Sequence, residues 1–519
     1  MDPRRERTLT AITIVILLAI VAGSAWLRAP GFTQGGFASH DVAGILYNGM
    51  VLDRGGLPYV DTVELKAPGS FYLATWFAGP EARDIARFQI AANLWALAAL
   101  SLVAGLGWRL WGRLGALVSA AVYALHDANL DSMDANYVTW ANLPQIAGFW
   151  LGVEAARARS SRWRPALWLC AGAMAGFASL CKQPAGVVLL AILVMAAWPE
   201  APAPHPKTRW ARLIAPAWVL AGFGLAHGPI VIQYLAAGEL LALIDGYFLN
   251  RWGLRYLSAR EVGVLASLRE GGLAIAYFLG LALVLASFTL GVGATSSARE
   301  RRQIAYVAAW LLGTLIAASL GFRFYKGYFL SVAAPMSVLA AAPIGLLGAR
   351  CGAHCRPLWV GRALALALLS VLALRQSQIL DKVRQDRARA HDLGGRRIAN
   401  HLLANTEPND TIWVWGWHLW DVYPLTNRMS ASRIYKSLGI LSQPNDDTWR
   451  RPAAPLHFVD SEYADMLLRD LDAKRPAYIV FGSTVPHREF KALHQFLRAH
   501  YRRDFRVRLN RVQFWRLRD

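Results

Sequence analysis

An α-helical polytopic membrane bundle, with a small α/β domain at its C-terminal end, is the fold class this sequence encodes. Three features lead there. Of 519 residues, 55% are hydrophobic and only 17% charged, against ~25% charged in an ordinary soluble enzyme. The apolar residues gather into runs close to the ~20 needed to cross a bilayer. Beyond residue 375 those runs stop, and short strand-like and amphipathic segments take over.

The expected spans, about eleven in all, are 8–27, 85–107, 112–126, 140–156, 165–180, 184–198, 211–236, 271–294, 303–320, 328–348 and 358–375. Those between 112 and 198 are short, as tilted or broken helices are. Alternate connections read MDPRRER, WRLWGR, RARSSRWRP, KTRWAR, SSARERRQ and ARCGAHCRPLWVGR. Each is short and basic and falls on one side, which the positive-inside rule makes the cytoplasm. The connections 28–84, 126–139, 237–270 and 321–327 are longer or more mixed in charge and fall outside. The chain then divides into a membrane domain, 1–375, and an extracytoplasmic domain, 376–519. The first run has the basic start and the small residues near Ala25 of a signal peptide, but an uncleaved first span fits the alternation. No internal repeat points to an inverted-repeat transporter.

The net charge of +21 follows from those topological clusters rather than from a nucleic-acid groove, so no nucleic-acid partner is expected. Cys170 and Cys181 lie in or at the end of an apolar run, while Cys351 and Cys355 form CGAHC in a cytoplasmic loop. A metal site needs more ligands at clearer spacing, and the four read as reduced, incidental thiols. In the C-terminal domain, 379–404 reads as a basic amphipathic helix at the membrane surface. TIWVWGWH (411–418) and AYIVFGST (477–484) read as short buried strands, EYADMLLRDLDAK and REFKALHQFLRAHYRR as helices.

The first outer loop is rich in ionisable groups: residues 35–74 hold His40, Asp41, Asp53, Asp61, Glu64 and Lys66. DVAGILYNGMVLDRGG reads as an amphipathic helix lying in the interface and ended by Gly55-Gly56. Asp41 stands where its N-cap would be. LPYVDTVELKAPGSFYL leads back to the next apolar segment through Lys66 and Pro68. A loop that leaves the membrane, lies along it and returns shapes a site at that surface. A carboxylate there can act as general base towards an acceptor hydroxyl, and cations can neutralise a leaving lipid phosphate. The plainer reading is a solvated loop, with Asp41 as a cap and the basic side chains snorkelling at the bilayer edge.

The acid after the first span, the GGLPYVD turn and KAPGSFYL resemble the membrane glycosyltransferases of the GT-C superfamily. The likeness is greatest to the bacterial branch related to protein mannosyltransferases and aminoarabinose transferases. CKQPAGVVLL (181–190), GFRFYKGYFLSVAAPMSVLAA (321–341) and WVWGWHLWDVYPLTNRMSASR (413–433) fit in order. The resemblance implies a multi-pass, GT-C-like protein of the bacterial inner (cytoplasmic) membrane, a hexosyl- or pentosyltransferase. It would move a sugar from a polyprenyl-phosphate-linked donor to an extracytoplasmic acceptor, whether envelope glycan, lipid or protein. Asp41 matches the family's first-loop acid, the general base. Lys66 matches its lysine before the proline, and Arg323 and Lys326 its basic-aromatic turn. With Lys182, at an outer helix end, they are the expected donor-phosphate ligands. Many relatives carry two adjacent acids where this chain has His40-Asp41, so a metal at that point stays open.

Candidates for the acceptor or a divalent cation (Mg or Mn) are His40, Glu64, Asp127, Asp131, Asp134 and His227. HDANLDSMDANYVTWAN (126–142) has three of these aspartates and no Lys or Arg. Hard cations prefer such ligands, while helix caps and solvated turns are the plainer account. Glu64 and His227 would join a cation site in the manner of the aminoarabinose enzymes, but a lone His inside a span is more often structural. Among other functions, a transporter or flippase for a lipid-linked or envelope glycan would place its charges at mid-membrane. A non-catalytic envelope scaffold would need no loop of acid and cations.

Overall fold

The computed structural model describes residues 3–33, 39–158, 162–200, 213–250, 263–350, 359–389, 395–416, 419–437, 439–444, 456–483, 485–505 and 512–518. KTRWAR, the CGAHC motif with Cys351 and Cys355, and part of the 237–270 loop lie outside these residues. The chain forms two compact units. One joins Met1–Gln34, Gln89–Ile232 and Val262–Arg389; the other joins Gly35–Phe88, Gln233–Glu261 and Ala390–Asp519.

The first unit is helical. Among the described residues, six helices are long and apolar enough to cross a membrane: Arg4–Leu27, Ile85–Leu130, Ile214–Ala236, Leu265–Ala294, Ala298–Phe322 and Lys326–Gly348. The shorter expected spans are the helices Tyr137–Arg157 and Arg164–Cys181 and the apolar run Gln183–Ala197. The count differs from the expected eleven partly because 85–107 and 112–126 form one element, Ile85–Asp127, of 43 residues. A straight helix of that length would run ~65 Å, about twice the bilayer core. It bends instead at Gly112, whose φ of 76° and ψ of −167° only glycine adopts cheaply. Past the bend the chain doubles back, and a Cβ on Gly107 would lie 2.6 Å from the Gly115 carbonyl oxygen. The expected span 358–375 likewise runs on into the basic stretch, giving one helix, Trp359–Arg389. RQSQILDKVRQDRAR contains neither Gly nor Pro to stop it.

Ion pairs mark both ends of this unit. At one end Arg109 pairs with Glu154 at 2.5 Å, and Glu200 gathers Arg157 at 3.1 Å and Arg299 at 3.0 Å. Arg113 donates to the Glu6 carbonyl at 3.3 Å. All belong to the connections, or to helix ends beside them, that the basic pattern places on one side. The other end holds Asp131, Lys182 and Lys326. Between them the core is tightly packed, with Phe149 stacked on Trp310 at 4.3 Å and Trp111 donating to the Val338 carbonyl at 2.8 Å.

The second unit contains a four-stranded sheet. Its strands are β1 (Ile412–Trp415), β4 (Tyr478–Phe481), β5 (Tyr501–Asp504) and β6 (Gln513–Leu517), in the order β1-β4-β6-β5. Strands β2 (Ser442–Pro444) and β3 (Leu456–Phe458) pair separately. β1 runs parallel to β4 with Trp413 opposite Ile479. The helix Glu462–Lys474 lies in the crossover that such a pair requires. β1 and β4 are the two apolar strands expected from sequence, and every residue in them is buried, as in strands covered on both faces. REFKALHQFLRAHYRR is α-helical only over Lys491–His500. Its end becomes β5, because Tyr501 pairs with Leu517 and Arg503 with Trp515, and tertiary pairing overrides a helical pattern.

The stretch after the first long helix supplies the helix His40–Asp53. It ends at the glycine pair as expected: Gly55 takes φ 80° and the Gly56 N–H reaches the Val51 carbonyl at 2.9 Å. It is not an amphipathic surface helix. Val42 through Val51 are all buried, because VAGILYNGMV is apolar around its whole circumference apart from Asn48.

Candidate active site

In the second unit, Asp41 stands in the first turn of the helix His40–Asp53, but it is not the cap. Ser39 is, its hydroxyl accepting the Asp41 N–H at 3.2 Å. The carboxylate of Asp41 is therefore not spent on starting the helix. It lies 3.8 Å from the Lys66 ammonium, with side chains 27% and 38% exposed, so both ends of the pair are within reach of a substrate. His40, beside it, packs edge-on to Trp420 at 5.5 Å. The Trp420 indole donates to the His40 carbonyl at 2.8 Å.

Lys66 is delivered by a strained, pinned loop. Asp61 accepts the Leu57 N–H at 2.7 Å, and Tyr59 adopts φ 68°. The Tyr59 hydroxyl donates to the Lys66 carbonyl at 2.6 Å. Val63 joins the C-terminal part of the unit by donating to the Arg433 carbonyl at 2.8 Å. Next to Lys66, Glu64 is buried and fully engaged. It pairs with Lys436 and accepts from Tyr435 at 2.5 Å, from Asn48 at 3.1 Å, and from the N–H groups of Leu65 and Lys66 at 2.7 and 3.1 Å. Burial pushes the Glu64 carboxyl up. The Lys436 ammonium, the Tyr435 hydroxyl and the Leu65 N–H outweigh that and hold it below the usual carboxylate range.

In the first unit, a turn between two late helices carries Arg323 and Lys326. Arg323 is buried, and its neighbours Phe322 (φ 50°) and Phe324 (φ 46°) both sit in the left-handed region. Such a conformation is expensive for a bulky side chain and is found mostly where a site demands it. Lys326 pairs with Asp131 at 2.7 Å, itself at φ 66°. Lys182 lies over the Tyr328 ring at 4.4 Å. Lys182, from the end of the helix Arg164–Cys181, thus meets the basic-aromatic turn that carries Lys326.

The other acidic candidates are occupied structurally. Asp127 is buried against Arg28, which also reaches Ser132 and Asn93. Asp134 accepts from Gln89 at 2.7 Å with Arg387 3.9 Å away. They are neither solvated turns nor caps but partners of basic or amide groups from distant elements. His227 donates its Nδ1–H to the Phe223 carbonyl at 2.8 Å, and its Nε2 meets the Ser179 hydroxyl at 3.3 Å. Among the described residues, no three His, Cys, Asp or Glu side chains converge. With five donors on it, Glu64 offers no open position to a cation in this arrangement.

Sequence reasoning missed Lys436, Tyr435 and Asn48. Tyr435 and Lys436 stand just beyond the aromatic motif ending at Arg433, in RIYKS, which was the one available signal.

No protein-family profile and no curated protein sequence matches the chain. Solved structures do match its fold. The archaeal oligosaccharyltransferase AglB from Archaeoglobus fulgidus, in complex with an inhibitory peptide and a dolichol-phosphate, has a TM-score of 0.55 at 14% identity, over 90% of this chain and 69% of that one. ArnT from Cupriavidus metallidurans in the apo state has a TM-score of 0.56 at 12% identity, over 96% and 97%. The same protein bound to undecaprenyl phosphate has a TM-score of 0.54 at 12% identity, over 99% and 98%. Both proteins are GT-C transferases, and the chain has the GT-C fold.

Proposed function

We propose that the chain is a glycosyltransferase of the bacterial inner membrane that takes a hexosyl or pentosyl group from a polyprenyl-phosphate donor. The acceptor is an extracytoplasmic hydroxyl on an envelope glycan, a lipid or a protein. The observation that carries this reading is the Asp41–Lys66 pair at 3.8 Å, with the helix start capped by Ser39 instead. Asp41 takes the acceptor O–H proton as that oxygen bonds to the anomeric carbon. The bond from that carbon to the phosphate oxygen breaks, and its electron pair leaves with the lipid phosphate. Lys66 supplies positive charge to that phosphate, where a fixed cation is worth most in a partly dry site. Lys182, Arg323 and Lys326 are the proposed lipid-phosphate ligands of the first unit. The GT-C neighbours bound to dolichol-phosphate and undecaprenyl phosphate support a donor of this class.

Lys66→Ala and Arg323→Ala are each expected to weaken donor use roughly tenfold, the scale of one lost charge-assisted contact. Titration of a polyprenyl-phosphate sugar against purified protein in liposomes measures this. Unchanged donor affinity in both variants contradicts the assignment.

The reading also requires the sheet-bearing segment 390–519 to lie outside the cytoplasm, with the N-terminus inside, as the basic connections direct. A cysteine introduced at the C-terminus should react with a membrane-impermeant reagent in spheroplasts. Protection there until the membrane is opened would place Asp41 on the wrong side for transfer.

A further inference from the structure

Glu64 has no part in the chemistry above, yet five donors close on it. Two of them are the N–H groups of Leu65 and Lys66. On its other side the Lys66 peptide is held through its carbonyl by the Tyr59 hydroxyl at 2.6 Å. The Lys66 backbone is thus clamped from both directions, and its side chain is the one placed 3.8 Å from Asp41. Glu64 in turn is fixed by Asn48 from the helix His40–Asp53 and by Tyr435 and Lys436 from the 433–437 segment. Asn48 is locked by Thr62, which donates to its amide oxygen at 2.8 Å.

We propose, resting on the reading that Asp41 and Lys66 carry transfer, that Lys436 is a positioning residue. It keeps Glu64 ionised and in place, so that Glu64 can hold the Lys66 peptide and set the spacing between ammonium and base. A buried carboxylate is tolerated only when paired and hydrogen-bonded, and Lys436 supplies the charge. The groups facing Glu64 are Lys436 and Tyr435 from one segment, Asn48 from the helix, and Tyr59 and Lys66 from its own loop. Asp41 lies near both lysines. Without Lys436, burial dominates and the Glu64 carboxyl titrates closer to neutrality. A protonated Glu64 accepts the Leu65 and Lys66 N–H groups poorly. Transfer should then fail at low pH and recover as pH rises through the new Glu64 value.

The test is Lys436→Met, which keeps the length and removes the charge, assayed in liposomes with a polyprenyl-phosphate sugar. The acid limb of its pH profile is expected at least about one unit above wild type, a tenfold loss on that limb. The double variant Glu64→Gln/Lys436→Met has no group to titrate there and should lose the shifted limb. A merely structural role would lower transfer by the same factor at every pH. A second readout needs no activity: acylation of the Lys66 amine with an N-hydroxysuccinimide ester, quantified by mass spectrometry. Lys66 should react roughly threefold faster in Lys436→Met, since a weakened clamp frees it from Asp41. Tyr435→Phe, which keeps both charges and is the milder change, should act in the same direction and less. An unshifted acid limb with wild-type Lys66 reactivity in these variants overturns the proposal. If the wild-type protein transfers no lipid-linked sugar, but Lys66 reactivity still rises in Lys436→Met and reverts in the double variant, the positioning stands and the transfer reading falls.

Discussion

Asp41→Asn is expected to lower sugar transfer by roughly a hundredfold or more, the scale of losing a general base. Asparagine keeps nearly the shape of aspartate but cannot take the acceptor proton. The fold should survive, because Ser39 caps the helix and an exposed pair such as Asp41–Lys66 contributes at most about 1 kcal/mol. Removing the charge from the first helical turn forfeits a further ~0.3–1 kcal/mol. Transfer assayed in liposomes beside thermal unfolding separates the two effects. Near-full transfer by the variant would remove Asp41 from catalysis. Asp131 would then be the next base to test, since its side chain is 30% exposed whereas those of Asp127 and Asp134 are buried.

The largest expected effect on stability comes from Arg28→Met. Arg28 and Asp127 are both fully buried, and Arg28 also donates to the Ser132 carbonyl at 2.7 Å and hydroxyl at 2.5 Å. Taking away the guanidinium leaves Asp127 buried without its cation, at a cost of about 3–5 kcal/mol. Arg28→Met/Asp127→Asn removes both charges and should recover much of the loss. The temperature at which detergent-solubilised protein loses its monodisperse peak reports both. A single variant as heat-resistant as wild type, or a double variant worse than the single, contradicts this account.

The sequence reading reached furthest where local pattern decides structure. The apolar runs foretold the helices, including both halves of Ile85–Asp127, and the two buried strands followed from TIWVWGWH and AYIVFGST. Asp41, Glu64 and Lys66 stood out as candidates because one loop carries them all. Long-range partners were not legible. Lys436 meets Glu64 across 372 positions and Arg28 meets Asp127 across 99, and no local period encodes either pairing. The aspartates of the 126–142 loop looked free of cations for the same reason: Arg28, Lys326 and Arg387 come from other elements. The cap was misplaced by two residues because Ser39 and Asp41 are both good cap types, and only the backbone of the first turn distinguishes them.

The most direct test of sugar transfer dependent on Asp41 is a mass-spectrometric comparison of envelope glycans, lipids and proteins from three strains. One carries the wild-type chain, one lacks it and one carries Asp41→Asn at equal abundance. The predicted result is a single hexose- or pentose-sized mass present in the first strain and missing from the same component in the other two. Identical envelopes in the strains with and without the chain would contradict it, as would a full sugar complement in the Asp41→Asn strain.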